Sequence, residues 1–480
     1  MQNHQVTRRW VLGTGAAVAA GLGLAACGSG DDKPASSGDA SNDPKAIAAD
    51  AYTFGYPLVL MDATRAALGF TNQFVNATTL PEPDDRLVVR LNLDTLYSQA
   101  WLDLGPEPLV LQVPGMEADR YWLMQITDAW SNTRQNPSSI RPQTAAGATS
   151  PPFTYLVTGP GWSGRVPEGM TRLDLPTNTA WVLGRIQVNG TEDVPRVLEL
   201  QNQLKLVPLS AWLRGEDAAT GRPFIPNPSQ TPPPAQVAAM DGPAFFDKLC
   251  ALMAANPPAP ADAPALERFA TIGLEPGATV DGQSAQALND GAAQAKTQIP
   301  KYDDPRTKQE NGWTFSTDLG AYGTNYALRA RTAMQALGAN LAQDAVYPTV
   351  FAKADDGGAK VRYRLHFPAG QLPPVDAFWS LTAYDADSYL VPNAADIYAI
   401  GHDVPIVVNS DGTVDIAVQN EDPGISVPQG NWLPIPASGN FSLSMRLYGP
   451  KQEALDGGWK PPVLTPVRLI RRVPRPSAGR

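Results

Sequence analysis

Three short stretches of this sequence carry polar side chains at the spacing of their own predicted secondary structure. In the predicted strand 86–93 and the residue that follows it, Arg90, Asn92 and Asp94 share one face. A cation, an amide and a carboxylate about 6 to 7 Å apart suit a small polar ligand or a row of sugar hydroxyls. A strand face in water alternates in the same way, so a solvated sheet face is the alternative interpretation.

The other two stretches add tyrosines, a carboxylate and a second arginine. Tyr97, Asp128 and Asn132 cluster near the ends of predicted strands, where binding residues often gather. The third stretch places four residues at i, i+3, i+4 and i+7 of a predicted helix, and hence on one face: Tyr322, Asn325, Tyr326 and Arg329. This face predicts a cleft wall, although tyrosine is also an ordinary core residue with one wet end.

Together these stretches predict one cleft between the N-terminal sheet and a helical segment. The predicted substrate-binding residues are Arg90, Asn92, Tyr97, Asn132, Tyr322 and Arg329. In an enzyme, Asp94 and Asp128 would be the general acid and base, with Tyr326 beside them. The reaction would be hydrolysis or elimination on a small hydroxylated or anionic compound or a glycan.

Two interpretations without catalysis compete with the enzyme. A binding protein would hold the same class of small-molecule or glycan ligand on platforms drawn from its 11 Trp and 14 Tyr. A structural protein of the cell envelope would have no pocket. A cleft where the three polar stretches converge would favour the enzyme or the binding protein.

Other familiar chemistries find little support. Outside the predicted signal the histidines are His366 and His402, which lack metal-ligand spacing, so no metal site is predicted, and no motif identifies a cofactor. A second stripe, Arg362, Arg364 and His366, fits carboxylate or phosphate binding or a solvated sheet. Residues 409–415 resemble a calcium loop in oxygen density but predict a hairpin turn, and calcium binding there stays open.

The first 27 residues predict an export signal. Arg8 and Arg9 precede a weakly apolar run that ends at Cys27 after small residues, the pattern of a twin-arginine signal with a lipoprotein cleavage site. Residues 28–43 are polar and Gly/Ser-rich and predict a flexible tether. We therefore expect a protein of the cell envelope that is lipidated on Cys27 and contacts the membrane through that anchor alone.

Net charge and cysteine content exclude one class of partner and one kind of covalent link. The formal net charge of −10 does not suit nucleic acid, so no nucleic-acid partner is predicted. Lipidation of Cys27 would leave Cys250 alone in an apolar setting, which predicts a buried structural thiol and no intrachain disulfide.

The pattern of the remaining chain changes twice and predicts an α+β protein. Residues 44–190 form a β-rich domain, 191–340 a helical segment and 341–480 a second β-rich domain, with the two β-rich domains sandwich-like. Asp43 and Pro44 predict a helix start, and Pro57 predicts a break after a helix that ends near Phe54.

The two β-rich regions share a short motif. YWLMQITD at 121–128 and FWSLTAYD at 378–385 both place a Trp after an aromatic residue and an Asp six positions after that Trp. This similarity predicts two equivalent strands in two similar sheets, with Trp122 and Trp379 both buried; ordinary strand composition is the alternative explanation.

Several longer motifs resemble a bacterial family. They are RLNLDTLYS at 90–98, DAWSN at 128–132, YGTNYALRA at 322–330, FWSL at 378–381, NWLP at 431–434 and GWKPP at 458–462. These motifs resemble the two-domain family in which the domain of unknown function numbered 1254 is followed by the one numbered 1214. The resemblance covers about residues 48 to 466 and implies no catalytic residue, because the family's function is not assigned.

Overall fold

A computed structural model describes residues 42–85, 89–145, 147–225, 227, 230–280, 284–402 and 404–467. The predicted signal, the lipidation site Cys27 and most of the tether lie outside the described residues. The chain forms two compact units. Among the described residues, the first unit contains those up to 81, 85–307 and 316–346, and the second contains 82–84, 308–315 and those from 347 onward.

The first unit contains most of the helices, and labels run in chain order through both units. Its helices are α1 (Pro44–Leu68), α2 (Val194–Gln203), α3 (Leu209–Leu213), α4 (Pro233–Ala239), α5 (Gly242–Ala255), α6 (Ala263–Ala270), α7 (Ala285–Gln298) and α8 (Tyr326–Ala336). Its strands are β1 (Val75–Asn76), β2 (Thr95–Asp103), β3 (Leu109–Val113), β4 (Trp122–Asp128), β5 (Thr133–Gln135), β6 (Phe153–Thr158), β7 (Thr171–Asp174), β8 (Thr179–Gln187), β9 (Lys205–Pro208), β10 (Arg222–Pro223) and β13 (Ala345–Val346).

Two sheets of the first unit pack face to face. One has the strand order β10-β1-β2-β8-β4-β5 and the other β7-β6-β3-β9. Alternate residues of β2, β4 and β8, among them Leu96, Met124 and Val182, meet Leu111 and Tyr155 of the second sheet in one buried core. This alternation is what the sequence predicts, because one face of each strand is apolar.

A helical layer covers the other face of the larger sheet. Trp101 of β2 and Trp181 of β8 stack with ring centroids 5.1 Å apart and contact Met61 of α1. Helices α1 and α7 approach so closely that a Cβ on Gly291 would lie 2.5 Å from the Cβ of Ala48. Glycine at that position lets the two backbones meet.

Helix α1 begins as predicted but runs further. The Asp43 side chain accepts from the Lys45 amide at 3.2 Å, which confirms the predicted N-cap. The predicted break at Pro57 is wrong, since the helix continues to Leu68. Residues on both sides of Pro57 are buried among other helices, and this packing stabilises a helix that proline alone would interrupt.

The second unit is also a pair of sheets. Its strands are β11 (Lys308–Glu310), β12 (Trp313–Phe315), β14 (Thr349–Lys353), β15 (Asp355–Asp356), β16 (Ala359–Lys360), β17 (Arg362–Phe367), β18 (Trp379–Tyr384), β19 (Ala399–Ile400), β20 (Val414–Val418), β21 (Trp432–Leu433), β22 (Asn440–Tyr448) and β23 (Thr465–Val467), and its described part also contains the α-helix α9 (Gln452–Asp456). The sheets β11-β12-β14-β22-β18-β19 and β21-β20-β17-β23 are packed through ring contacts such as Phe367 on Trp379. The predicted α+β class with two β-rich, sandwich-like parts is therefore confirmed.

The predicted repeat is confirmed in the strand pairing. Trp122 starts β4 and pairs with Ile186 of the long strand β8, while Trp379 starts β18 and pairs with Leu447 of the long strand β22. Both pairings are antiparallel, and both Trp side chains are buried.

The same turn follows both repeated strands. One side-chain oxygen of Asp128 accepts from the amides of Trp130 and Asn132, each at 2.9 Å. The Asp385 side chain accepts from the amides of the residues two and four positions later, Asp387 and Tyr389, at 3.0 and 2.9 Å. The third residue after each Asp is a Ser at positive φ, 64° for Ser131 and 67° for Ser388. The repeat therefore includes a carboxylate that holds a turn.

Two other sequence predictions have clear outcomes. The predicted strand 86–93 is wrong over its described part, because residues 89–93 form no strand and Arg90 has φ 55°. A residue in the left-handed region ends the two-residue alternation. Cys250 is a buried free thiol, as predicted. Across the described residues, no helix combines the length and the apolar composition that crossing a membrane requires.

Candidate functional site

The stretch from Tyr322 to Arg329 forms a turn and the start of a helix. Helix α8 begins at Tyr326, and Asn325 is its N-cap, with its side-chain oxygen accepting from the Leu328 amide at 3.1 Å. Tyr326 and Arg329 therefore lie on the helix, whereas Tyr322 precedes it. The prediction of a single helix face with four members is wrong because the capping asparagine, at φ −79° and ψ 74°, ends the helical geometry there.

Arg329 is a buried cation enclosed by aromatic rings. Its side chain is 2% exposed, and its Cζ lies 5.2 to 5.3 Å from the ring centroids of Phe54, Trp130 and Tyr326. Its Nη2 donates to the Phe54 carbonyl at 3.1 Å, and its Nε has no hydrogen-bond partner among the described residues. These cation–π contacts replace part of the hydration that the guanidinium loses.

Two carboxylates balance this buried charge. Burial lowers the pKa of Arg329, and the negative charges of Asp262 and Asp128 oppose that shift. Asp262 accepts from the Tyr326 hydroxyl at 2.9 Å and from the Ala259 amide at 3.0 Å. Burial, followed by the contact with Asp262, raises the pKa of Tyr326 to about 12. Tyr326 is therefore protonated at neutral pH, and its proton is directed to Asp262.

Asp128 has both carboxylate oxygens occupied. Besides the two turn amides, it accepts from Asn132 Nδ2 at 3.3 to 3.4 Å and from Arg134 Nε at 2.6 Å. Its side chain is fully buried. Asn132 in turn accepts from the Tyr322 amide at 3.3 Å. This arrangement gives Asp128 the role of fixing the turn, because a general base needs an oxygen that is open to the reacting proton.

The outer side of Tyr326 lines an open depression of about 360 Å³, which we call the Tyr326 depression. Its lining residues combine aromatic rings with polar groups: Asp50, Thr53, Ala265, Arg268, Phe269, Tyr302, Thr324, Asn325, Tyr326 and Ala327. Asp50 and Arg268 form an ion pair at the edge, and the Tyr302 hydroxyl donates to Asn325 at 3.3 Å. Aromatic surface ringed by a few positioned polar groups is typical of small-ligand sites.

Arg90, Asn92, Asp94 and Tyr97 lie elsewhere. Asn92 Nδ2 contacts the Tyr97 hydroxyl at 3.2 Å, and the Tyr97 ring lies 5.1 Å from the Cζ of buried Arg185. Asp128 pairs with Ala180, near the start of β8. The Asp94 carbonyl accepts from the amide of Val188, just past the other end of that strand. Eight residues along a strand span about 26 Å.

The predicted single cleft is therefore wrong. The structure brings together Asp128, Asn132, Tyr322, Tyr326 and Arg329, and it places Arg90, Asn92, Asp94 and Tyr97 at the far end of the same sheet. Asp94 and Asp128 cannot act on one substrate atom at this separation. The sequence periodicity misplaced residues 90–93 and 322–325, and the register between strands was not visible in the sequence.

Sequence reasoning also missed residues that complete the site. Phe54 and Asp262 contact Arg329 and Tyr326 but lie far away in sequence, in α1 and in a short turn before α6. Arg134 has a local signal, since the turn after Asp128 returns the chain along β4 and places the arginine next to the carboxylate. Nothing in the local pattern identifies Phe54 or Asp262.

The second polar stripe lies on one face of β17, as its alternation predicts. Arg364 Nε and His366 Nδ1 both contact Asp415 Oδ1, at 2.8 and 2.7 Å, and Arg362 pairs with Glu421 at 2.8 Å. Residues 409–413 form a turn in which Asp411 accepts from Thr413. Within the described part of the chain, no group of three or more His, Cys, Asp or Glu side chains could hold a metal ion.

Comparisons with known proteins give a family and a fold. Residues 71–208 match the family described as "Protein of unknown function (DUF1254)", and residues 344–452 match "Protein of unknown function (DUF1214)". The VPA0106 protein from Vibrio parahaemolyticus is similar in structure, with a TM-score of 0.63, 22% identity, and coverage of 88% of this chain and 100% of that one. A putative uncharacterized protein from Burkholderia cenocepacia has a TM-score of 0.44 and 14% identity, with 88% and 89% covered. No curated protein matches the sequence.

Proposed function

This chain belongs to the family in which a DUF1254 domain is followed by a DUF1214 domain, and we propose that it binds a small hydroxylated compound in the Tyr326 depression. The observation that carries the proposal is the composition of this depression. Three aromatic side chains, Phe269, Tyr302 and Tyr326, are combined there with the ion pair of Asp50 and Arg268. Sugar-like compounds present both apolar C–H faces and hydroxyl groups, and such a lining complements both.

The buried cluster behind Tyr326 supports this proposal by fixing the ring in place. The Tyr326 ring lies edge to face against Phe54, with centroids 5.0 Å apart, and its hydroxyl is held by Asp262. Because the proton is directed to Asp262, the phenolic oxygen keeps its acceptor capacity for a ligand hydroxyl. A wall that is already ordered lowers the entropic cost of binding.

Binding is the proposal that we prefer over catalysis. The hydrolase or lyase hypothesis used Asp94 and Asp128 as the acid–base pair, and these residues lie about 26 Å apart along the strand direction. Among the described residues that line the depression, Asp50 is the one with a carboxylate. Acid–base hydrolysis of a glycosidic bond commonly needs two carboxyl groups flanking that bond.

The cellular location belongs to the same proposal. Arg8, Arg9 and the small residues before Cys27 support export by the twin-arginine route and lipidation of Cys27 in the cell envelope. We expect Cys27→Ala to move the protein from the membrane fraction to the soluble fraction, because the acyl chains are carried by that sulfur. Membrane association that persists in Cys27→Ala would contradict the anchor.

The mature chain is the one that begins at Cys27 after removal of the predicted signal. Its calorimetric titration with monosaccharides, sugar acids and polyols tests the binding proposal. We expect one saturable site for at least one of these compounds and no product after long incubation. Ala327→Trp fills the depression and should weaken binding more than tenfold, since the ligand would lose its space. Ala255→Trp adds the same side chain at an exposed helix position and should leave binding unchanged. Equal affinity in wild type and Ala327→Trp would contradict the proposal.

A further inference from the structure

A second cavity lies at the other end of helix α1. This groove has a volume of about 540 Å³ and is formed by the last turn of α1, the edge strand β10, its neighbour β1 and described residues after β10. Its described lining includes Leu68, Phe70, Val75, Arg222, Phe224 and Ile225. The volume lies in the range of cavities that hold small molecules of drug size.

Several contacts hold the described walls of the groove together. Val75 of β1 pairs with Arg222 of β10, and the Arg222 amide donates to the Phe74 carbonyl at 2.9 Å. On the opposite side, Gln230 Nε2 donates to the carbonyl of Ala67, at the end of α1, at 3.3 Å. Backbone pairing therefore holds one wall of the groove, and a side-chain hydrogen bond ties the segment at Gln230 to the end of α1.

The groove presents apolar surface to water. Phe70 is 38% exposed and Ile225 is 79% exposed, so two large apolar side chains remain accessible at this place. Removing apolar surface from water is favourable roughly in proportion to the area covered. An apolar occupant would remove part of this surface from water, whereas a polar ligand would gain little from it.

One charged residue defines which apolar ligand would fit. Arg222 is the only charged residue among the described residues that line the groove. Its Cζ lies 4.9 Å from the Phe70 ring centroid, and its Nε donates to Gln73 Oε1 at 3.1 Å. These contacts orient the guanidinium at the edge of the apolar surface, where an anionic head group would meet it.

We propose that this groove binds a monocarboxylate with an apolar chain, such as a straight-chain acid of about 10 to 12 carbons. The chain contacts Phe70, Val75 and Phe224, and the carboxylate accepts hydrogen bonds from Arg222. This site is separate from the Tyr326 depression, with which it shares no lining residue. The two sites can therefore be tested independently.

Titration calorimetry with decanoate and decan-1-ol, below the concentration at which either aggregates, tests the proposal on the mature chain. Decanoate should bind at one saturable site and more tightly than decan-1-ol. Arg222→Gln should weaken decanoate about tenfold, through loss of a charge-assisted contact near the surface, and should change decan-1-ol by less than threefold. Arg214→Gln is the matched control, because Arg214 is exposed and outside the groove, and should change neither affinity.

A blocking variant keeps the test decisive. Ala67→Trp places a large ring in the groove and should abolish binding of both compounds, while Ala327→Trp should leave both unchanged. Decanoate affinity should also fall with added salt more steeply than that of decan-1-ol, a result that needs no variant. Equal decanoate affinity in Arg222→Gln, undiminished binding in Ala67→Trp, or the absence of saturable binding would overturn the proposal.

Discussion

Replacing Asp128 with Asn should destabilise its turn much more than the same change at the equivalent Asp385. Both carboxylates accept from the backbone amides two and four residues later. An amide oxygen can keep those two bonds in either variant. In addition, Asp128 accepts from Arg134 Nε at 2.6 Å and lies near the buried cation Arg329.

The expected magnitude follows from these contacts. In Asp128→Asn, the amide that replaces the carboxylate has no charge to balance Arg329, and its NH₂ group cannot accept from Arg134. Breaking a buried ion pair costs about 3 to 5 kcal/mol, and the 38% exposure of the Arg134 side chain reduces this to about 2 to 4 kcal/mol. Asp385→Asn should cost about 0.5 to 1.5 kcal/mol, the usual range for one weakened hydrogen bond.

Native-state hydrogen exchange read by mass spectrometry measures the free energy of opening at both turns in each variant. The free energy of opening should fall by about 2 to 4 kcal/mol in peptides covering 122–135 of Asp128→Asn, with peptides covering 379–389 unchanged. A double-mutant cycle that combines Asp128→Asn with Arg134→Gln should show a coupling energy of at least about 1 kcal/mol between the two residues. Equal losses at the two turns, or additive effects of Asp128→Asn and Arg134→Gln, would contradict the role of these contacts.

Two further predictions concern titratable groups. Burial, followed by the charges of Asp247 and Glu275, raises the pKa of Cys250 to about 11. The native Cys27→Ala chain should therefore not react with an aromatic disulfide at pH 8 but should react fully in guanidinium chloride. Fast reaction of the native chain would contradict this. Burial raises the pKa of Asp344, and the contacts with Asn136 and Arg141 oppose this shift. Asp344 therefore contributes to stability below the ordinary carboxyl pKa of about 4, and this contribution is lost as the pH rises through the raised pKa of the native state. The urea concentration at the unfolding midpoint should fall less in Asp344→Asn than in wild type as the pH rises above about 4. Asp303 is exposed, and the control Asp303→Asn should behave like wild type.

The strands were predictable because each depends on local alternation. Alternation in the sequence predicts strands at 95–104, 121–128, 180–188 and 441–448, and the bounds of β2, β4, β8 and β22 differ from these by one residue or less at each end. The repeat was visible for the same reason, since an aromatic pair and a turn carboxylate at fixed spacing are local features. Alternation failed at 86–93, where the left-handed φ of Arg90 leaves no trace in the hydrophobic pattern.

The site was less predictable because it depends on contacts distant in sequence. Phe54 and Arg329 are 275 positions apart, and Asp262 lies 64 positions before Tyr326. Asp128 ends a strand, as its alternation predicts, whereas Asp94 follows a segment that forms no strand, and antiparallel pairing with β8 places the two at opposite ends of the sheet. A local pattern shows which face a side chain occupies, and the strand register decides which neighbours it meets.

Hydrogen exchange in the presence of a titrated hydroxylated ligand tests the location of binding most directly. Binding in the Tyr326 depression predicts slower exchange in peptides that cover 47–54, 263–270, 299–302 and 324–329, with other peptides unchanged. The same ligand should give no protection in Ala327→Trp. Protection confined to the far end of the sheet, around Tyr97 and Arg185, or equal protection in wild type and Ala327→Trp, would contradict the account.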